Sequence, residues 1–203
     1  MLSTFRSSVS RVTDPIGARL FRWGVTPDVV TVLGMAGTVA SALWFFPRGQ
    51  LFAGTVAVTL FVLFDMLDGA VARARGYGTP FGTVLDSTCD RVADGALFAA
   101  LTWWCLGVGD NRPLAVVALV CLVCSQVISY IKARAEAAGL AAEGGMVERT
   151  DRFILALVGT GLSGLGVPAA IDVTLWLLAI LSLVTVAQRI LAVRRSAREQ
   201  EVR

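Results

Sequence analysis

The chain has 203 residues, 56% hydrophobic and 16% charged, with a mean hydropathy of +0.72 and a formal net charge of +3. Soluble domains are about 45–50% apolar and about 25% charged, so the composition excludes an ordinary water-soluble domain and fits a protein solvated by lipid. Histidine is absent, which excludes histidine bases and metal ligands and leaves acid–base chemistry to carboxylates, Lys132, tyrosine or cysteine.

In chain order, Leu2, Phe5, Val9, Val12, Ile16 and Leu20 recur at steps of three and four, with Arg6, Arg11 and Arg19 off that stripe. The spacing predicts an amphipathic helix over residues 1–25, lying on an anionic membrane surface or packed on the protein. It holds no long apolar core of the kind a cleavable signal needs. Six apolar segments follow: Val29–Pro47, Leu51–Ala74, Phe81–Gly107, Pro113–Ile131, Phe153–Ile171 and Val173–Val193. Each approaches the about 20 residues that cross a hydrocarbon core. Short breaks rich in glycine and proline separate most of them. The one long break, residues 136–151, reads as a cytoplasmic loop. The expected fold is all-α and integral to the membrane: six transmembrane helices over 26–198 behind the interfacial helix, with a tail at 199–203, in one domain spanning 1–203. Gly34-x-x-Gly37 and glycines 159, 161, 164 and 166 are expected to let helices approach closely.

Lysine and arginine fall unevenly between the two sides of this bundle. Fifteen lie in the N-terminal segment, the turn after the second span, the loop between the fourth and fifth, and the C-terminal end, against Arg48 and Arg112 opposite. The bias places both termini in the cytoplasm of a multi-pass cell-membrane protein. Trp44, Trp103, Trp104 and Trp176 stand near the other ends of their segments, where interfacial anchoring explains them. Cys89, Cys105, Cys121 and Cys124 lie in apolar stretches and read as buried thiols. Cys121-x-x-Cys124 lacks a second ligand pair.

The chemistry concentrates between residues 65 and 90. Asp65 and Asp68 are three apart, Asp86 and Asp90 four apart. On helices each pair shares a face, and the turn at 76–80 lets the two pairs meet. Four carboxylates at one depth of a membrane repel unless protonated, paired or bound to cations, and oxygen-only donors suit a hard cation. The alternative is an ion-pair network in a cation transporter.

Asp65-x2-Asp68-Gly69-x2-Ala72-Arg73-x8-Gly82-x3-Asp86-x3-Asp90 resembles the signature of the CDP-alcohol phosphotransferase family at eight fixed positions over 26 residues. The six-segment layout extends the resemblance over nearly the whole chain. It implies that CMP is displaced from CDP-diacylglycerol by an acceptor hydroxyl. It implies two Mg2+ ions, with Mn2+ as the alternative, held by Asp65, Asp68, Asp86 and Asp90, with Asp90 the general base. Asp28, Val29, Val30, Thr31, Gly69, Arg73 and Thr79 would contact the CDP-diacylglycerol.

Lys132, Arg134, Arg149, Arg152 and Arg189 cluster at the cytoplasmic ends of the segments, as an anionic acceptor requires. Segments 125–136, Glu148-Arg149 and Gln188-Arg189 look like the phosphatidylinositol phosphate synthases of actinobacteria, a branch of the same family. That resemblance implies 1D-myo-inositol 3-phosphate as acceptor, bound by Ser129, Lys132, Arg149, Arg152 and Arg189. It also implies a homodimer among membrane lipids, with no nucleic-acid partner. The same chemistry with glycerol 3-phosphate is the alternative.

Overall fold

The computed structural model describes residues 13–142 and 144–201, and every regular element among them is a helix. Most of the predicted interfacial stripe, residues 1–12, lies outside the described residues; 13–22 form a helix, α1. Then come α2 (Pro27–Phe45), a 3-10 turn (Phe46–Arg48), α3 (Leu51–Asp65), α4 (Leu67–Arg75), α5 (Pro80–Leu106), α6 (Arg112–Ala137), α7 (Arg149–Gly164) and α8 (Ala170–Glu201).

Local chemistry sets the ends. Thr79 Oγ1 accepts the Gly82 N–H at 2.9 Å and Pro80 opens α5, an N-terminal cap followed by a residue with no amide to satisfy. Asn111 caps α6 in the same way through the Leu114 N–H at 3.1 Å, again with proline in the first turn. Gly76, at φ 92°, closes α4 in the left-handed conformation that a side chain disfavours.

Four helical stretches are long and apolar enough to cross a membrane: Pro27–Arg48, Leu51–Arg75, Arg112–Ala137 and Ala170–Gln200. Their apolar side chains point outward as well as inward; Leu60 and Val116 are each 61% exposed, as expected where lipid is the solvent. The other two predicted segments differ from these. The α5 helix is 27 residues long but carries Asp86, Asp90, Arg91 and Asp94. The α7 helix is only 16 residues and stops at Gly164, short of the expected Ile171, because the chain turns through Gly166 at φ 86° before Pro168.

The second predicted segment is one helical stretch, Leu51–Arg75, with a single irregular residue in it. Met66, with ψ at −13°, separates α3 from α4 between Asp65 and Asp68.

The chain divides into two compact units, Met1–Ala42 with Val56–Ala93, and Leu43–Thr55 with Asp94–Arg203. The first is held by close helix contacts. A Cβ on Gly17 would lie 2.6 Å from the Ala70 backbone, one on Gly34 2.7 Å from Asp65 Cβ, and one on Gly37 2.0 Å from the Phe61 ring. The second unit packs α8 against α6 and α7 around Leu97, Phe98, Leu101, Leu114, Ile128, Leu175 and Leu178, all buried. There, Gly159 lies against Thr174 and Gly164 against the Phe52 backbone. Gly166, expected to serve helix contact, instead terminates a helix. All four cysteines are free and buried.

Candidate active site

Asp65 ends α3, and its carboxylate comes together with Asp86 and Asp90, one helical turn apart on α5. One oxygen from each of the three lies within 4.8 Å of the others. Each is half-buried, and Arg91 Nη2 stands 3.7 Å from Asp90 Oδ2. Gly34 belongs to this site as much as the aspartates do: lacking a side chain, it lets α2 close behind Asp65. The sequence marked Gly34 for helix packing but offered no sign of what it packs on.

Asp68 opens α4 and stands outside that trio, beside Asp86 in a neighbouring pocket. It accepts the Thr31 hydroxyl at 2.9 Å and the backbone N–H of Gly69. Thr31 is 3% exposed and already bonded to the Pro27 carbonyl at 3.1 Å; Asp68 is thereby tied to the start of α2. It lines a pocket of about 260 Å³ together with Asp28, Thr31, Gly69, Thr79, Gly82 and Asp86. Gly82 leaves room here, since its Cβ would crowd Thr79 Oγ1 at 3.0 Å and Asp28 Oδ1 at 3.3 Å.

Of the residues expected around the nucleotide, Asp28, Thr31, Gly69 and Thr79 line this pocket. Val29 and Val30 do not: Val30 is 1% exposed, in the core, and Val29 is exposed. Helical geometry is the reason, because Asp28 and Thr31 share a face that the two residues between them leave. Arg73 stands beside the pocket, not in its lining. Its Nε and Nη2 donate to Asp14 Oδ1 at 3.1 and 2.7 Å, and its Nη1 lies 3.4 Å from where a Gly69 Cβ would be. The arginine in the lining is Arg75, stacked 4.6 Å from the ring of Tyr77, which also lines the pocket. Sequence reasoning assigned no role to Arg75, Tyr77 or Asp14.

The donor set fits a divalent metal. Three carboxylates this close repel one another unless a proton or cation intervenes, and an all-oxygen, histidine-free set suits Mg2+ or Mn2+. Asp28, Asp68 and Asp86 make the pocket acidic as well, so an anionic diphosphate needs cations between itself and these walls.

The cationic residues expected for the acceptor fall in the second unit, in two groups. Lys132 and Arg189 line a pocket of about 520 Å³ with Glu136, Gly144 and Glu148. Arg189 is only 9% exposed, and two carbonyls hold it: Gly144 O takes Nε at 3.2 Å and Ile128 O takes Nη1 at 3.0 Å. Arg149 and Arg152, in the first turn of α7, meet Asp94. Ser129 donates to the Ser125 carbonyl of its own helix at 3.1 Å.

The loop before α7 supplies part of the larger pocket. It is strapped to α8 by Ser196, Gln188 and Thr185, which accept the N–H groups of Ala141, Met146 and Val147. Its composition disclosed a loop but not this use, which depends on side chains some 40–55 residues away.

Two groups of known proteins resemble this chain. The phosphatidylinositol phosphate synthase of Mycobacteroides abscessus is 55% identical over 192 residues, covering 94% of this chain and 87% of that protein. The enzyme of the same name from Mycobacterium tuberculosis is 55% identical over 188 residues, 91% and 87% of the two chains. Crystal structures of the latter superpose with a TM-score of 0.88. One, with CDP-DAG bound, covers 90% of this chain and 94% of that one; another, with manganese and citrate, covers 91% and 90%. The family model described as CDP-alcohol phosphatidyltransferase matches residues 24–193, and with the aspartates, glycines and pocket disposed as above, the chain belongs to the CDP-alcohol phosphatidyltransferase family.

Proposed function

We propose that the chain transfers the phosphatidyl group of CDP-diacylglycerol to 1D-myo-inositol 3-phosphate, giving phosphatidylinositol phosphate and CMP. The observation that carries this is the meeting of Asp65, Asp86 and Asp90 in the unit whose neighbouring pocket takes in Asp28, Thr31, Asp68, Gly69 and Thr79.

Asp65, Asp86 and Asp90, with Asp68, would hold two divalent ions, Mg2+ in the first place. Their chemistry here is to neutralise the diphosphate and the charge on departing CMP. The protein's own residues do the rest. Asp90 accepts the proton of the acceptor hydroxyl, which is a poor nucleophile until it is deprotonated. The hydroxyl oxygen forms a bond to the phosphorus that carries the diacylglycerol. The bond from that phosphorus to the CMP oxygen breaks, and CMP departs with the electron pair. The pocket residues, with Arg75 and Arg73, position the nucleotide.

Ser129, Lys132, Arg149, Arg152 and Arg189 hold the acceptor's phosphate. The pocket containing Lys132 and Arg189 also presents Glu136 and Glu148. Carboxylates accept from hydroxyls, and an inositol ring offers more of these than glycerol 3-phosphate does. The 55% identity to synthases named for the inositol product supports the same acceptor. The protein works as a six-pass homodimer in the cell membrane, with α5 and α7 adding two crossings to the four apolar stretches and both termini and the active site facing the cytoplasm.

Purified protein given CDP-diacylglycerol and Mg2+ should release CMP with inositol 3-phosphate and not with glycerol 3-phosphate or free inositol. In Asp90→Asn the rate should fall by about 10²-fold or more, the usual contribution of a general base. Release with glycerol 3-phosphate instead would overturn the acceptor assignment. Undiminished release in Asp90→Asn would overturn the role of that residue.

A further inference from the structure

Asp94 takes no part in the reaction as derived so far, yet it is 2% exposed. A buried carboxylate is costly unless paired and hydrogen-bonded. Asp94 engages two arginines, one with each oxygen. Oδ1 accepts Arg149 Nε at 3.1 Å, and Oδ2 lies 3.7 Å from Arg152 Nη2. The remaining constraints act on the same two groups. The Arg149 guanidinium lies 5.5 Å from the centre of the Phe153 ring, and Arg152 Nη1 donates to the Val147 carbonyl at 3.4 Å.

The placement of these arginines runs against local preference. Both sit in the first turn of α7, where the helix dipole and the unpaired N–H groups favour anions over cations. Residues set against a local rule mark sites where something else is being served. Glu148 and Asp151 already cap this helix end by a reciprocal capping box, so what holds the two guanidinium groups in place there is Asp94, one oxygen to each. Asp94 contributes what an arginine on a flexible stem lacks: binding Nε fixes the plane of the guanidinium and so the direction of its other donors.

We propose that Asp94 is a positioning residue for the acceptor, orienting Arg149 and Arg152 toward the acceptor's phosphate group. The inference rests on the functional reading above, in which these arginines hold that phosphate. Asp94 lies one turn beyond Asp90 on α5, so a single helix carries both the proton acceptor and the group that orients the acceptor-binding arginines.

The test uses the full-length protein and CMP release, varying inositol 3-phosphate and CDP-diacylglycerol separately. Asp94→Asn keeps the size of the side chain and removes its charge. Its KM for inositol 3-phosphate should rise by about tenfold or more, a loss of about 1.4 kcal/mol, while the KM for CDP-diacylglycerol stays within about twofold. Arg149→Lys keeps the charge but has no Nε–H to be held. It should raise the acceptor KM comparably, and because Arg149 is half-exposed the variant folds whether or not Asp94→Asn does. In the double variant the two losses should not add, as for residues acting through one contact.

An unchanged acceptor KM in Arg149→Lys, a rise in both KM values alike in Asp94→Asn, or full additivity would overturn the proposal. Failure of the wild-type protein to release CMP with inositol 3-phosphate would overturn the functional reading itself, and this inference with it.

Discussion

Gly69 separates the needs of packing from those of binding. A Cβ there would meet only Arg73 Nη1, at the ordinary distance of 3.4 Å, so Gly69→Ala should leave the melting temperature unchanged. The same residue lines the pocket beside Asp28 and Thr31 and donates its N–H to Asp68, and under the proposed function a methyl group would stand where the diphosphate approaches the backbone. Gly69→Ala is therefore expected to raise the KM for CDP-diacylglycerol by about tenfold, or about 1.4 kcal/mol, measured alongside thermal unfolding in detergent. The ion pair of Arg73 with Asp14 is half-exposed on both sides, and exposed pairs contribute at most about 1 kcal/mol. Asp14→Ala should accordingly move nucleotide affinity more than stability. At this scale the aspartates and Gly69 were legible because their spacing is itself the signal, and Thr79 came from the family resemblance alone. Val29 and Val30 were grouped with Asp28 and Thr31 because adjacency in sequence is not adjacency on a helix face, and Asp14 was missed because nothing local connects it to a residue 59 positions away.

Helix-level features follow from small residues and one interruption. A Cβ on Gly164 would fall 2.3 Å from the Phe52 backbone nitrogen, and backbone cannot yield as a flexible side chain can. Gly164→Ala should force α7 off the chain at Phe52 and cost about 1–3 kcal/mol, the range for overpacked interiors. A fall in melting temperature, with the KM values of the surviving protein unaltered, would check this. The glycines of α2 and α7 were recognisable as contact points from their spacing, although the partner of each was not. The irregularity at Met66 had no sequence signal: residues 55–68 contain no glycine or proline. Around it the two aspartates take different partners: Asp65 meets Asp86 and Asp90, and Asp68 bonds Thr31 while lining one pocket with Asp86.

For the molecule as a whole, the prediction concerns orientation. In the expected topology Arg48 and Arg112 lie on one side and fifteen basic residues on the other, and cationic segments are retained in the cytoplasm. Single cysteines placed at positions 50 and 110, in a protein whose four native cysteines are buried, should react with an impermeant thiol reagent in intact cells. Cysteines at 77 and 140 should react only after permeabilisation. Labelling at 77 in intact cells would reverse the assigned orientation. The α8 helix, 32 residues long or about 48 Å at 1.5 Å per residue, exceeds the about 30 Å hydrocarbon core. Its basic C-terminal turns therefore extend beyond the lipid, where the loop before α7 is bonded to them.

The sequence by itself determined the apolar character, the helical class and the family, and it pointed to the carboxylates between residues 65 and 90. Each of these is a property of a segment in its surroundings or of fixed spacing along one helix, and needs no knowledge of distant contacts. Tertiary structure alone decided the partners. It set Asp65 with Asp86 and Asp90, tied Asp68 to Thr31, held Arg73 with Asp14, and placed Asp94 between Arg149 and Arg152. These contacts join residues tens of positions apart. They depend on how closely glycine-faced helices approach, which no local pattern along the chain encodes.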